Sequence, residues 1–240
     1  MRTSRTARAA LAVAAVTMLL TSGCDERLPL TWKSTAPPSI DSPEGFARLW
    51  STNCAGCHGA DGSHGPARPM RDAVYLASVS DAELKRVIGG GSAPGTLMPG
   101  FARSAGGALA EVEIDAIISG MRRAWGDASA KASTIPFAAP STRGSTERGK
   151  IAFDRSCVSC HSNGNASNAF YLQLVSDQSL RSTIIFGRPD LGMPGAEGPF
   201  PGRDASARLT AQEVDDIVAW LAQRRSADWP PKSIERGARP

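Results

Sequence analysis

Histidine is scarce in this chain, with three in 240 residues at positions 58, 64 and 161. Any chemistry that needs imidazole must therefore be assembled from very few side chains. Long apolar runs are lacking too. The one run, Ala9 to Leu20, is about a dozen residues, too short to span a bilayer comfortably as a permanent helix. No arginine-rich stripe interleaved with aromatics is found. The formal charge of +4 comes largely from the first 23 residues, which hold Arg2, Arg5 and Arg8 and no acid. Without them Lys+Arg falls from 27 to 24 against 23 acids, a net +1. A basic nucleic-acid binder is not indicated.

Cysteine is limited to five, and four of these stand in two copies of one pentapeptide, Cys54-Ala-Gly-Cys57-His58 and Cys157-Val-Ser-Cys160-His161, 103 residues apart. Cys-x-x-Cys-His is the attachment pattern of a covalent c-type haem. The two thiols add across the haem vinyl groups, and the adjacent histidine ligates the iron as proximal ligand. The competing assignment is a four-thiol zinc site built from two Cys-x-x-Cys knuckles. Zinc does not require histidine after both second cysteines, and its knuckles usually stand closer together. Two covalent haems, held by Cys54 and Cys57 and by Cys157 and Cys160, are the expectation.

The fifth cysteine is Cys24, so no pair is left for a disulfide. Residues 1–23 have the positive leader and apolar run of an export signal. They end in Leu20-Thr21-Ser22-Gly23-Cys24, which resembles a bacterial lipobox with its leucine one position early. Lipidation at Cys24 is expected; the alternative is an ordinary secretory signal with an incidental cysteine. Asp25 resembles a retention signal for the cytoplasmic membrane. Residues 24–41, with Pro29, Pro37 and Pro38, read as a tether.

Two repeated blocks follow, 42–126 and 144–225, joined by an Ala/Ser/Thr/Pro-rich linker at 127–143 and ending in a basic tail at 226–240. In the first block, Ser42-Pro43-Glu44 predicts a helix start with Phe46, Leu49 and Trp50 on its apolar face. Ser80-Asp81-Ala82-Glu83 predicts a capping box. A third helix is expected over Leu109 to Trp125, with Val112, Ile114, Ile117, Ile118 and Met121 apolar. In the second block the same order predicts helices over Ser145–Ser156, carrying Gly149, Ile151 and Phe153 into the second motif, over Ser176–Phe186, and from a capping box at Thr210 with Val214, Ile217, Val218, Trp220 and Leu221. Each block has about 85 residues, near the lower limit for a self-sufficient core. The haem is expected to supply what is missing.

With His58 and His161 as proximal ligands, His64 alone is spare, and it lies only six residues after His58 on the same side. It reads as a surface residue of the haem-edge loop. Methionine is the next soft neutral donor. The second block contains one, Met193, in Met-Pro-Gly, and Met98 in the first block has the same context. These two are the expected sixth ligands, with Met70 and Met121 as core.

Both blocks resemble class I cytochrome c domains. The first resembles bacterial members most closely, in Cys57-His58-Gly59-Ala60-Asp61-Gly62 followed by Gly65-Pro66. The resemblance implies an all-α fold of three or more short helices wrapped around each covalent haem, and a Pro66 carbonyl that accepts a hydrogen bond from His58 Nδ1. It also implies a weak iron–methionine absorption near ~695 nm. The second block has no Gly-Pro after its motif, so the partner of His161 stays open.

The expected function is a lipid-anchored dihaem electron carrier, or a subunit of a respiratory or photosynthetic complex, at the extracytoplasmic face of the cytoplasmic membrane. Its donor would be a quinol-oxidising complex or periplasmic dehydrogenase, and its acceptor an oxidase, reductase or photosynthetic centre. The alternative is a dihaem enzyme of peroxidase or thiosulfate dehydrogenase type, with one open haem.

Overall fold

The computed structural model describes residues 36–93, 96–139, 144–200 and 208–225. The export signal, Cys24 and most of the tether lie outside the described residues, as do 140–143 of the linker and the tail. The chain divides into Met1–Pro37 and Pro38–Pro240, and the second unit contains every helix described below.

Among the described residues there are ten α-helices and no strand, only two isolated bridges. The first half contains α1 (Pro43–Asn53), α2 (Ala55–His58), α3 (Ala73–Ser78), α4 (Asp81–Gly90) and α5 (Glu111–Trp125). The second repeats the order with α6 (Thr146–Ser156), α7 (Val158–His161), α8 (Ala169–Leu174), α9 (Asp177–Phe186) and α10 (Ala211–Ala222). The fold is all-α, in two tandem copies of one arrangement. No helix among the described residues is long and apolar enough to cross a membrane.

Helix starts follow local chemistry. Ser42 Oγ accepts the Gly45 N–H at 3.0 Å, with Pro43 in the first helical position, where its missing N–H costs nothing. Thr210 and Glu213 form a full capping box. At Ser80 only half the expected box forms. Ser80 Oγ takes the Glu83 N–H, but the Glu83 carboxylate turns to Arg86.

The first and last helices of each half cross tightly, and the sequences solve the crossing in opposite ways. In the first half Phe46 of α1 lies against Gly120 of α5, where an added Cβ would meet Phe46 Cδ2 at 2.2 Å. In the second half the small residue is on the other helix. Gly149 of α6 lies against α10, and an added Cβ would fall 2.0 Å from the Asp216 carbonyl oxygen and 2.9 Å from Trp220 Cβ. Asp216 also accepts the Ser145 N–H at 2.7 Å and pairs with Arg148. Burial alone would raise its carboxyl, but these bonds hold it below the usual range.

The apolar faces are buried largely as expected, including Ile114, Ile117, Ile118, Met121, Val214, Ile217 and Trp220. Val112 and Ile151 depart from expectation, at 56% and 67% exposed. Each is apolar by type, yet stands on the solvent side of its helix. The linker also differs from a plain spacer. Ile135 and Phe137 are buried, and Phe137 lies edge-on to Tyr75 of α3, with centroids 6.1 Å apart. The Ser133 N–H bonds Ser78 Oγ, while Ser133 and Thr134 hydroxyls donate to Glu197 at 2.7 and 2.6 Å. From α9, Gln178 and Arg181 donate to the Phe137 and Pro136 carbonyls. The linker is thus a strap seated on both halves.

Candidate functional site

Each Cys-x-x-Cys-His motif folds as one helical turn attached to the end of the preceding helix. In the first half α1 ends at Cys54, and the His58 N–H returns to the Cys54 carbonyl at 2.9 Å. In the second, the His161 N–H returns to Cys157 at 3.0 Å. Spacings of three and four residues bring both thiols and the histidine to neighbouring positions on one side of a turn. Trp50 and Phe153, each four residues before the first cysteine, stand beside the histidine rings at centroid distances of 6.1 and 6.4 Å. None of the four cysteines is in a disulfide. Burial, and then the neighbouring Cys57, pushes the Cys54 thiol up to about 12.

The two histidines are oriented by different groups. In the first half the helix stops at Gly59, whose φ of +85° is one that L side chains rarely adopt. The chain then loops back, and the Ala67 N–H reaches the Cys57 carbonyl at 2.9 Å. This return brings the carbonyl of Arg68 to His58 Nδ1, at 2.8 Å. The expectation for Pro66 is thereby corrected, because the turn carries the chain two residues further before a carbonyl faces the ring. Burial first, and then the Arg68 and Arg188 guanidiniums, lower the His58 pKa against the opposing effect of the Arg68 carbonyl. Because a carbonyl can only accept, Nδ1 carries the hydrogen of this bond, and Nε2 is the ring nitrogen left to a metal.

In the second half Ser162 stays helical and the turn runs on to Gly164. Asn165 then stands four residues past His161, and its Oδ1 lies 2.9 Å from His161 Nδ1. A side-chain amide does here what a backbone carbonyl does in the first half. The sequence signal was an amide one helical turn beyond the histidine.

Met98 and Met193 occupy equivalent loops past α4 and α9, and both are half-buried. Each loop is drawn against the end of its helix. The Phe101 and Ala102 N–H groups bond the Ile88 and Gly89 carbonyls, and the Ala196 N–H bonds Ile185. Gly91 and Gly187, both at positive φ, lie so close to the Met98 and Met193 carbonyls that a Cβ would stand 2.8 and 2.3 Å away. Met121 is core, and Met70 packs partly buried against it. The His64 side chain is exposed, on a backbone held at φ +60°.

The first half's two loops both touch the second half. The Leu97 N–H, next to Met98, donates to the Leu174 carbonyl at 3.0 Å. The His64 N–H donates to Asp190 at 3.0 Å, and Arg188 donates to the Gly65 carbonyl at 2.9 Å. Arg68 lies over the Tyr75 ring at 4.2 Å and the Phe186 ring at 5.1 Å.

The donor chemistry fits a haem better than zinc. No group of three or more His, Cys, Asp or Glu among the described residues is arranged to hold a metal ion, so the four thiols do not converge. A haem needs two thiols, a neutral imidazole and cationic donors for its carboxylates. The Arg68 side chain is 10% exposed and pairs with Asp72 through Nη2, while its buried Nε and Nη1 have no partner in the protein. Unpaired buried N–H groups beside the proximal loop suit a carboxylate acceptor.

No curated protein matches the chain significantly. A family does, twice in tandem, and its cytochrome c domains bind c-type haem and serve electron transfer. With matches over residues 41–119 and 144–221, the chain belongs to the family described as cytochrome c oxidase, cbb3-type, subunit III.

Proposed function

We propose that the protein is a dihaem c-type cytochrome that passes single electrons between extracytoplasmic redox partners. Cys54 and Cys57 hold one haem, and Cys157 and Cys160 the other. His58 and Met98 would ligate the first iron, and His161 and Met193 the second. The haem supplies an iron that cycles between ferric and ferrous states. The chain's own residues set the orientation and basicity of each imidazole through Arg68 O and Asn165 Oδ1. One observation carries the reading. The same assembly, a histidine tied at Nδ1 and a methionine loop drawn against the next helix end, is built twice. With His58 and Met98, and His161 and Met193, as ligands, neither iron would have a position left for substrate.

Cytochromes c are typically extracytoplasmic, which agrees with an export signal at 1–23. Lipid at Cys24 would anchor the chain to the cytoplasmic membrane. A quinol-oxidising complex or periplasmic dehydrogenase would be the donor. The family description names an oxidase subunit, which favours an oxidase over a reductase or photosynthetic centre as acceptor. The deciding experiment is the iron–methionine absorption of the oxidised protein. Met98→Ala and Met193→Ala should each remove about half of it and open one iron to carbon monoxide, and Met70→Ala should change neither. An unchanged Met193→Ala spectrum would reject Met193 and favour the dihaem enzyme with an open second haem. In the same preparations Cys24→Ser should release the protein from membranes, and its retention there would reject the lipid anchor.

A further inference from the structure

One part of the contact between the halves is a short segment with two attachments. Arg188 and Met193 exchange both backbone hydrogen bonds, N–H to carbonyl at 3.0 Å each way. The Met193 loop is therefore hung on the Arg188 backbone. The Arg188 side chain points the other way along the contact. It donates to the Gly65 carbonyl at 2.9 Å and to both oxygens of Asp190, at 3.0 and 2.9 Å. Asp190 Oδ2 in turn accepts the His64 N–H at 3.0 Å. The Arg188 and Asp190 side chains are only 14% and 4% exposed.

The far end of this linkage is the loop that orients His58. Gly65 is pressed against the motif, so that a Cβ there would fall 2.2 Å from the Cys57 carbonyl and 2.7 Å from the His58 carbonyl carbon. His64 holds a left-handed backbone without being glycine. Such a conformation persists where its surroundings over-determine it, and the bond from its N–H to Asp190 is one such restraint. Charge-assisted, two-pronged hydrogen bonds are stronger and more directional than neutral ones. The route from Met193 to His58 is short and runs through groups that each have a defined partner.

We propose that Arg188 and Asp190 form a positioning clamp between the two iron sites, so that a change at the Met193 loop is transmitted to the proximal His58 loop. The clamp rests on the ligand assignment above. Neither residue touches iron in this account; both act through the loops they hold.

The test is a double-mutant cycle on the full-length holoprotein, with optical redox titration as readout. Met193→Ala takes the second haem out of the iron–methionine absorption, so the residual band reports the first haem alone. Arg188→Lys keeps the charge but loses the fork that reaches Gly65 and both Asp190 oxygens. Through-space electrostatics from an altered second haem would act equally in both backgrounds, whereas transmission through the clamp would not. The expected result is a shift of the first haem's potential and band on Met193→Ala, lost or strongly reduced when Arg188→Lys is also present. The same shift in both backgrounds overturns the clamp and leaves the ligands standing. A Met193→Ala protein with an unaltered second haem overturns the ligand assignment and the clamp together. Should Arg188→Lys fold poorly, Asp190→Asn in its place keeps the side-chain volume while weakening the salt bridge, and is scored the same way.

Discussion

Replacing Asn165 with alanine should raise the reduction potential of the second haem and leave that of the first unchanged. With iron at Nε2 the proton would stay on Nδ1, and His161 Nδ1–H would donate to Asn165 Oδ1 across 2.9 Å. That bond makes the imidazole a more basic ligand and favours ferric over ferrous iron. Its net worth bounds the effect. A neutral hydrogen bond contributes about 1 kcal/mol, and for a one-electron couple a tenfold change in equilibrium is about 59 mV, or about 1.4 kcal/mol. If only the ferric state felt the bond, its loss would raise the potential by about 40 mV. Asn165 is exposed, so water takes over part of the acceptor role, and a shift of about 10–40 mV is expected.

Asn165→Asp supplies the opposite perturbation. A carboxylate accepts more strongly than an amide, so the potential of the second haem should fall. The first haem serves as internal control, because His58 is held by a backbone carbonyl that no substitution at Asn165 touches. Optical redox titration of wild type and both variants reads all three values. Shifts of the same sign from Ala and Asp would show that the hydrogen bond is not what tunes this iron. A shift confined to the first haem would refute the placement of Asn165.

Two further outcomes follow from packing and charge. Gly149→Ala should destabilise the holoprotein more than Gly120→Ala in thermal unfolding. The new methyl meets the Asp216 backbone in one case and the movable Phe46 ring in the other. Overpacking of a side chain costs about 1–3 kcal/mol, and Phe46→Leu should relieve Gly120→Ala, while Trp220→Leu should not rescue Gly149→Ala. The strap between the halves should loosen in acid. Burial alone would raise the Glu197 carboxyl, but bonds from Thr134 and Ser133 outweigh it and hold the group low. Its contribution is present above the unfolded glutamate value of about 4.3 and is lost as pH falls through the lower folded value. Glu197→Gln should remove that acid-dependent part of the stability curve, and an unchanged curve would exclude it.

The helices and the attachment motifs were legible because they are local. A serine before proline, a threonine three residues before glutamate, and apolar positions at helical spacing all act within one or two turns. Val112 and Ile151 misled because periodicity reports residue type, and a helix can carry one more apolar residue than its buried face needs. Helices α3 and α8 are six residues each, too short to show a period. The acceptor for His58 was placed two residues early, at Pro66, because it is a backbone carbonyl and every residue carries one; the path of the loop decides which one serves. Asn165 was readable in principle, as an amide one turn past a histidine. The burial of Ile135 and Phe137 was hinted at by two apolar residues in a stretch otherwise rich in Ala, Ser and Pro.

What the duplication kept and what it changed have different physical origins. The helix order and the Cys-x-x-Cys-His turn are the same in both halves, and the proposed ligands are of the same types. The residues that hold those ligands are free to differ. His58 is held by a carbonyl and His161 by an amide, and Phe46 against Gly120 becomes Gly149 against Trp220. The contact between the halves is unequal as well. The first contributes residues 64, 65, 68, 75 and 97, and the second contributes 174, 186, 188 and 190, which are not the corresponding positions. A contact between unlike surfaces gives the two motifs different surroundings. The His58 loop is bound to a buried arginine–aspartate pair, while His161 is held by an exposed amide. If the proposed ligands hold, the two irons would share one ligand set on unlike supports, and different potentials are expected of them.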